Sequence, residues 1–213
     1  MKVYMTYILL LFMLFFGCAT PPQQTSQPEV VTEQILPIQA TIDYEVGEII
    51  NFGDYEWIVL EVLDNKALII TTETLAARPY HSRYTEGMTW ENCSLREYLN
   101  GAFLESFNDS DRDRIALVEL ENPDNPQYGT AGGNTINCRV FTLSIEEAQK
   151  YFSSSQDRLA RDTNGVASWY WLRSPGDKTT FASAVRSDGS FDLEGRDVNN
   201  SYGAVRPALW LNP

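Results

Sequence analysis

The sequence predicts an α+β fold in which short helices and many short strands share one core. Three observations carry that prediction. Strand-like runs rich in Val, Ile, Tyr and Trp recur along the chain, with Ser-x-x-Glu helix starts between them. Stretches rich in Gly, Pro and Asn separate these runs, and no internal repeat is visible.

The bulk composition fits one globular domain with a tail. Of 213 residues, 43% are hydrophobic and 12% aromatic, too many large apolar side chains for a disordered chain. Sixteen Lys and Arg against 29 Asp and Glu give a net charge of -13. Such a surface repels phosphate backbones and excludes a nucleic-acid partner. His81 is the only histidine, which rules out multi-histidine metal sites. It lies in a loop-like run and has no base or nucleophile role assigned to it.

Residues 1–18 read as a signal peptide. Lys2 precedes an apolar stretch from Tyr7 to Phe16, and Gly17 stands before Cys18. The stretch suits a signal-peptide core and is short for a bilayer-spanning helix. The Gly17-Cys18-Ala19 ending resembles a bacterial lipoprotein box, although Phe15 stands where leucine is usual. Lipidation of Cys18 is therefore expected, with more than one acyl chain holding the protein to a membrane. An acidic body on an anionic membrane needs that lipid, because electrostatics works against it. Ala19 after the cysteine, in place of a retaining aspartate, favours the outer membrane or cell surface. Residues 19–43 hold four prolines, many Gln and Thr, and neither glycine nor an aromatic ring. They read as a disordered, extended tether.

The domain is expected over 44–213. Its first strands fall at 47–52 and 55–63, and a turn at Asp64-Asn65-Lys66 leads into a strand at 67–72. Both faces of this hairpin are apolar, so it is expected to be central. Ser94 and Glu97 have capping-box spacing and predict a helix ending at Gly101, with a second short turn over 102–107. Ser144 and Glu147 repeat the device and predict a helix through Phe152. Residues 121–137 form a long loop, of a length usually functional or disordered. Beyond Ser153 short strands are expected at 169–172, 180–187, 190–193 and 204–211, the middle pair joined by an Asp188-Gly189 turn.

Four ordered blocks then matter more than periodicity. They are Thr89-Trp90-Glu91 with Leu95-Arg96 and Tyr98-Leu99-Asn100; Val140-Phe141-Thr142-Leu143-Ser144 with Glu147 and Tyr151-Phe152; Trp171-Leu172-Arg173-Ser174-Pro175-Gly176; and Val205-Arg206-Pro207-Ala208-Leu209-Trp210. Together they resemble the bacterial domain-of-unknown-function family 6273, over about residues 50–213. The resemblance implies a C-type-lectin-like domain related to formylglycine-generating enzymes, with short helices, a central hairpin and a strand- and loop-rich C-terminal half. It implies no activity, since fold does not determine function.

Several candidate sites follow. The calcium motifs of true C-type lectins are absent, and Asp188, Asp192, Glu194 and Asp197 read as a solvated acidic face, so no metal is assigned. Cys93 and Cys138 do not lie where the related oxidases keep their thiol pair, so no catalytic residue is carried over. In an exported chain these two cysteines read as a possible disulfide. Arg96, Arg173 and Arg206 sit among apolar residues and read as structural, forked onto a carboxylate or loop carbonyls. Trp57, Trp90, Trp171 and Trp210 read as core. The stretch 188–202 offers Asp188, Phe191, Arg196, Asn199, Asn200 and Tyr202, rigid aromatic and adaptable polar types suited to recognition, as the ligand-binding loop.

The functional expectation is a lipid-anchored envelope protein that recognises a protein or glycan without catalysis and without a cofactor. Two alternatives stay open: an enzyme related in fold to formylglycine-generating oxidases, and a structural component of the envelope.

Overall fold

The computed structural model describes Thr41 and residues 43–213. The signal segment, Cys18 and nearly all of the expected tether lie outside the described residues. Among the described residues no helix is long and apolar enough to cross a membrane.

The chain enters through three antiparallel strands, β1 (Ile49–Phe52), β2 (Tyr55–Leu63) and β3 (Lys66–Thr71). Asp64 and Asn65 take φ of 49° and 58°, the left-handed pair that a two-residue hairpin with native twist requires. Asp and Asn tolerate that region better than most residues, so the turn is written into the sequence. The hairpin is central as expected, because β12 (Ala208–Leu211) pairs with the far side of β3. β6 (Val140–Phe141) then pairs with β12, giving the order β1-β2-β3-β12-β6. One row across four strands reads Val59, Ile69, Leu209 and Val140, all fully buried.

The helix expected at Ser94 forms with a different cap. Cys93 is the capping residue, its sulfur accepting the Arg96 N–H at 3.4 Å, and α1 (Ser94–Tyr98) starts at Ser94 itself. A 3₁₀ turn over Trp90–Asn92, closed by its own Thr89–Asn92 capping box, delivers the chain to Cys93 in extended conformation. Gly101 does not end the helical segment either. A wide π-type turn, Leu99–Phe103, runs across it, and the break in helical geometry falls on Gly101 at φ −111° and ψ −106°. An additional helix, α2 (Asp109–Arg114), follows, capped by the Asn108 side chain.

β4 (Val118–Leu120) and β5 (Ile136–Cys138) pair across the long loop. That loop is a built part of the structure, since Asn125 is only 1% exposed. Its amide donates to the carbonyls of Pro175 and Leu193 at 2.9 and 2.8 Å. Those carbonyls belong to a second sheet of β9 (Tyr170–Pro175), β10 (Phe181–Val185) and β11 (Phe191–Asp197), in the order β11-β10-β9. The register shifts between Ala182 and Ala184, and Ser183 at that bulge donates its hydroxyl to Pro175 O at 2.6 Å. Asn125 therefore braces the sheet at its bulge, donating to carbonyls of both outer strands.

The expected Ser144–Glu147 capping box is present and opens α3 (Ile145–Tyr151). A second box, Ser154 with Asp157, opens the short α4 (Ser155–Arg158). A hairpin of β7 (Ala160–Arg161) and β8 (Ala167–Ser168) follows it. The described domain is thus mixed and strand-rich, with a few short helices, as the α+β expectation required.

Candidate functional site

A cleft of about 820 Å³ opens where β3 ends. One wall is the strap that follows β3, Thr72 to Ala77, and another is the start of β2 with Asp54, Tyr55 and Glu56. The turn of the β7–β8 hairpin supplies Asp162, Thr163 and Asn164, and Trp169, Ser187, Tyr202 and Ala204 complete the rim. The strap is extended because its backbone is pinned from one side. The amides of Thr74, Leu75 and Arg78 donate to the carbonyls of Arg161, Val205 and Gly203 at 2.9, 2.7 and 2.8 Å.

The aromatic wall is held rigidly. Trp169 meets Trp171 edge-on with centroids 4.9 Å apart, and the Arg196 guanidinium lies 4.6 Å from the Trp169 ring centroid. Arg196 is itself fixed by Asp192 at 3.1 Å, and Asp192 is also bound by Arg186 at 2.8 Å. Gly203 lets the chain pass under both indoles, since a Cβ there would stand 2.2 Å from Trp171 Nε1 and 2.7 Å from Trp169 Cη2. Tyr202 projects beyond this base and is 80% exposed.

The cleft is acidic. Asp54, Glu56, Glu73 and Asp162 line it, and none of its lining residues is Lys, Arg or His. Among the described residues none of the four pairs with a Lys or Arg. Asp162 accepts the amides of Val166 and Asn164, and these bonds, Val166 first, hold its carboxyl below the usual carboxylate range. The neighbouring cations are engaged elsewhere: Arg161 donates to Gly165 O at 2.8 Å, and Arg78 stacks on Tyr98 at 3.6 Å.

The structure distributes the residues expected in the binding loop. Tyr202 lines the cleft, and Arg196 supports it from beneath Trp169. Asp188 sits in the β10–β11 turn beside the lining residue Ser187, where bonds from Ser190, its hydroxyl first, lower the carboxyl's pKa. Phe191 packs under the Arg158 guanidinium at 4.3 Å. Asn199 is exposed, and Asn200 serves the turn after β11, its side chain accepting the Tyr202 amide at 2.9 Å. Asp192, counted with the solvated acidic face, is instead buried between two arginines. Among the described residues no group of three His, Cys, Asp or Glu is placed to hold a metal ion. Most of the cleft was missed by sequence reasoning, because Thr, Ala and Glu from scattered segments carry no motif.

The remaining candidates are architectural. Arg173 is buried and grips Glu147, with Nη2 to Oε1 at 2.8 Å, and it also donates to the carbonyls of Glu121 and Thr142. Arg206 is buried on Thr71 O, Arg158 O and the Tyr170 hydroxyl, with carbonyls where a carboxylate was the other option. Arg96 reaches Glu91 O at 3.1 Å. Trp57, Trp90 and Trp171 are fully buried, whereas Trp210 is only partly so. His81 receives the Ser94 amide on Nδ1 at 3.2 Å, which explains its place at the start of α1. Cys93 and Cys138 are free buried thiols rather than a disulfide. Each has its own task, Cys93 as helix cap and Cys138 against the Asn100 amide at 3.2 Å.

Fold and site together define a strand-rich α+β domain with an acidic, aromatic-rimmed cleft. The chain belongs to the family described as Domain of unknown function (DUF6273), whose profile matches residues 64–213. All four quoted blocks fall within that match, while β1 and β2 precede it. Neither a curated protein nor a solved structure matches the chain.

Proposed function

We propose that this protein is an exported lipoprotein, anchored through Cys18 at the outer membrane or cell surface, whose C-type-lectin-like domain recognises a macromolecule or glycan without catalysis. The observation that carries this reading is the cleft itself. Its volume suits a ligand segment, its rim holds Trp169 and Tyr202, and its walls add hydroxyls and carboxylates. An aromatic that is 80% exposed on a rigid, Arg196-backed base is a ready contact residue. The oxidase alternative draws no support from Cys93, whose thiol burial pushes up to about 12, far from a reactive thiolate.

The test is a binding screen of the full chain in detergent micelles against glycans, envelope polymers and matrix proteins. A saturable hit should weaken about tenfold or more in Tyr202→Ala or Trp169→Ala, as for a central aromatic contact. Hits that both variants retain at full affinity would place recognition outside the cleft and reject the reading. Mass spectrometry of the anchor, with Cys18→Ser as control, tests lipidation independently.

A further inference from the structure

We infer that the cleft binds an extended, basic peptide segment, its Arg or Lys side chains taken by the cleft carboxylates; the inference rests on the recognition reading above. Four carboxylates with no Lys or Arg partner among the described residues line one space from three parts of the chain: Asp54 and Glu56 around the start of β2, Glu73 on the strap and Asp162 on the β7–β8 turn. Like charges gathered around one concavity repel each other, and a cationic guest relieves that repulsion. No lining cation competes for them.

Charge alone would not make a site, and two further features point to a ligand. Thr71 and Thr74 both line the cleft at 2% exposure, yet neither hydroxyl has a hydrogen-bond partner among the described residues. Buried polar atoms are rarely left in that condition without a role. The strap supplies the second feature. While the amides of Thr74, Leu75 and Arg78 are bonded, those of Glu73, Ala76 and Ala77 have no backbone partner among the described residues. These three residues line the cleft. Neutral N–H groups beside carboxylates match a peptide, whose carbonyls take the amides while its basic side chains take the charges. The small side chains of Ala76 and Ala77 leave room for a second backbone to approach.

The probe is a fluorescent peptide alternating arginine and alanine, titrated by anisotropy against the full chain in detergent micelles at low and high salt. Its glutamate counterpart and a neutral chitooligosaccharide serve as comparisons. The arginine peptide should bind saturably and weaken with salt. Glu73→Gln with Asp162→Asn should weaken it about tenfold, at a few-fold per charge. The control pair Glu86→Gln with Glu119→Gln, exposed carboxylates outside the cleft, removes the same charge and should leave affinity within about twofold. Equal losses in both pairs, unchanged affinity in the first, or equal binding of the glutamate peptide would each overturn the inference. Binding of the neutral oligosaccharide that Tyr202→Ala removes and the charge substitutions do not would overturn the peptide assignment and leave the recognition reading standing. No binding by any probe would overturn the peptide inference, while the recognition reading answers to its own broader screen.

Discussion

The two principal sheets of this domain solve the same burial problem with opposite materials. The five-stranded sheet is mainly dry: Val59, Ile69, Leu209 and Val140 lie side by side with no polar side-chain atom to satisfy, and the buried polar Thr71 stands only at the end of β3, where the cleft opens. The three-stranded sheet is threaded with buried polar groups, among them Asn125, Ser183, Asp192 and Arg173. The dry sheet depends on close packing, so errors in it scale with volume lost. The polar region depends on complete pairing, so removing one member strands several others. The cleft is carried by that second region on its aromatic side, where Asp192, Arg196 and Trp169 form a stacked series. The rigidity of the candidate site thus derives from polar order.

Arg173→Met should show the largest effect, about 3–5 kcal/mol, because it leaves Glu147 and the Glu121 and Thr142 carbonyls without their partner. Chemical denaturation is the measurement. A change below 1 kcal/mol would mean that water replaces the guanidinium, and the contrast between the sheets would fail. Asn125→Ala comes next, at about 2–3 kcal/mol, since the Leu193 carbonyl loses its short bond from the amide and Pro175 O keeps only the Ser183 hydroxyl. Ile69→Val in the dry sheet should cost only about 1 kcal/mol by the same assay. If the two costs coincide, polar and apolar burial are equally forgiving here. The smallest effect belongs to the surface triad of Glu61, Lys150 and Tyr151, with Lys150 Nζ to Oε1 at 2.8 Å and the Tyr151 hydroxyl to Oε2 at 2.6 Å. The Lys150 bond, followed by that from Tyr151, lowers the Glu61 pKa. A depressed carboxyl stabilises above its unfolded value and loses that contribution as pH falls through its folded value. Glu61→Gln should therefore cost less than about 1 kcal/mol at neutral pH, screened by its exposure, and nothing once Glu61 is protonated. Thermal melts across acidic and neutral pH test the sign.

What was legible in the sequence was local. The β2–β3 hairpin follows from Asp64-Asn65, residues that accept positive φ, and α3 follows from Ser144 and Glu147, whose reciprocal bonds need no distant partner. The structural roles of Arg173 and Arg206 were legible from their apolar flanks. The α1 cap was misassigned by one residue because the preceding Thr89–Asn92 turn, a local motif of its own, sets where the helix begins. The anticipated Cys93–Cys138 bond is likewise displaced by a cap and an Asn100 contact that spacing does not reveal. Of the site, Tyr202 and Arg196 were reachable from residue type alone. The strap and its carboxylates were not, because only the closing of distant segments makes Glu73 and Asp162 neighbours of one cleft. Gly203 was equally hidden, since its need for close approach exists only once Trp169 and Trp171 are in place.

The position of β12 has a consequence for how the molecule is made. Ala208–Leu211 joins β3, far upstream, to β6, and among the described residues β6 has no other strand beside it. While a ribosome is still withholding those four residues, the β1–β3 meander keeps an open apolar edge and Val140–Phe141 has no ladder to enter. Early segments can form hairpins and helices as they emerge, but the largest sheet closes in a single late step. A nascent chain interrupted before Ala208 is therefore a different physical object from the finished domain: an exposed strand edge, prone to stick to its neighbours, in place of a sealed sheet.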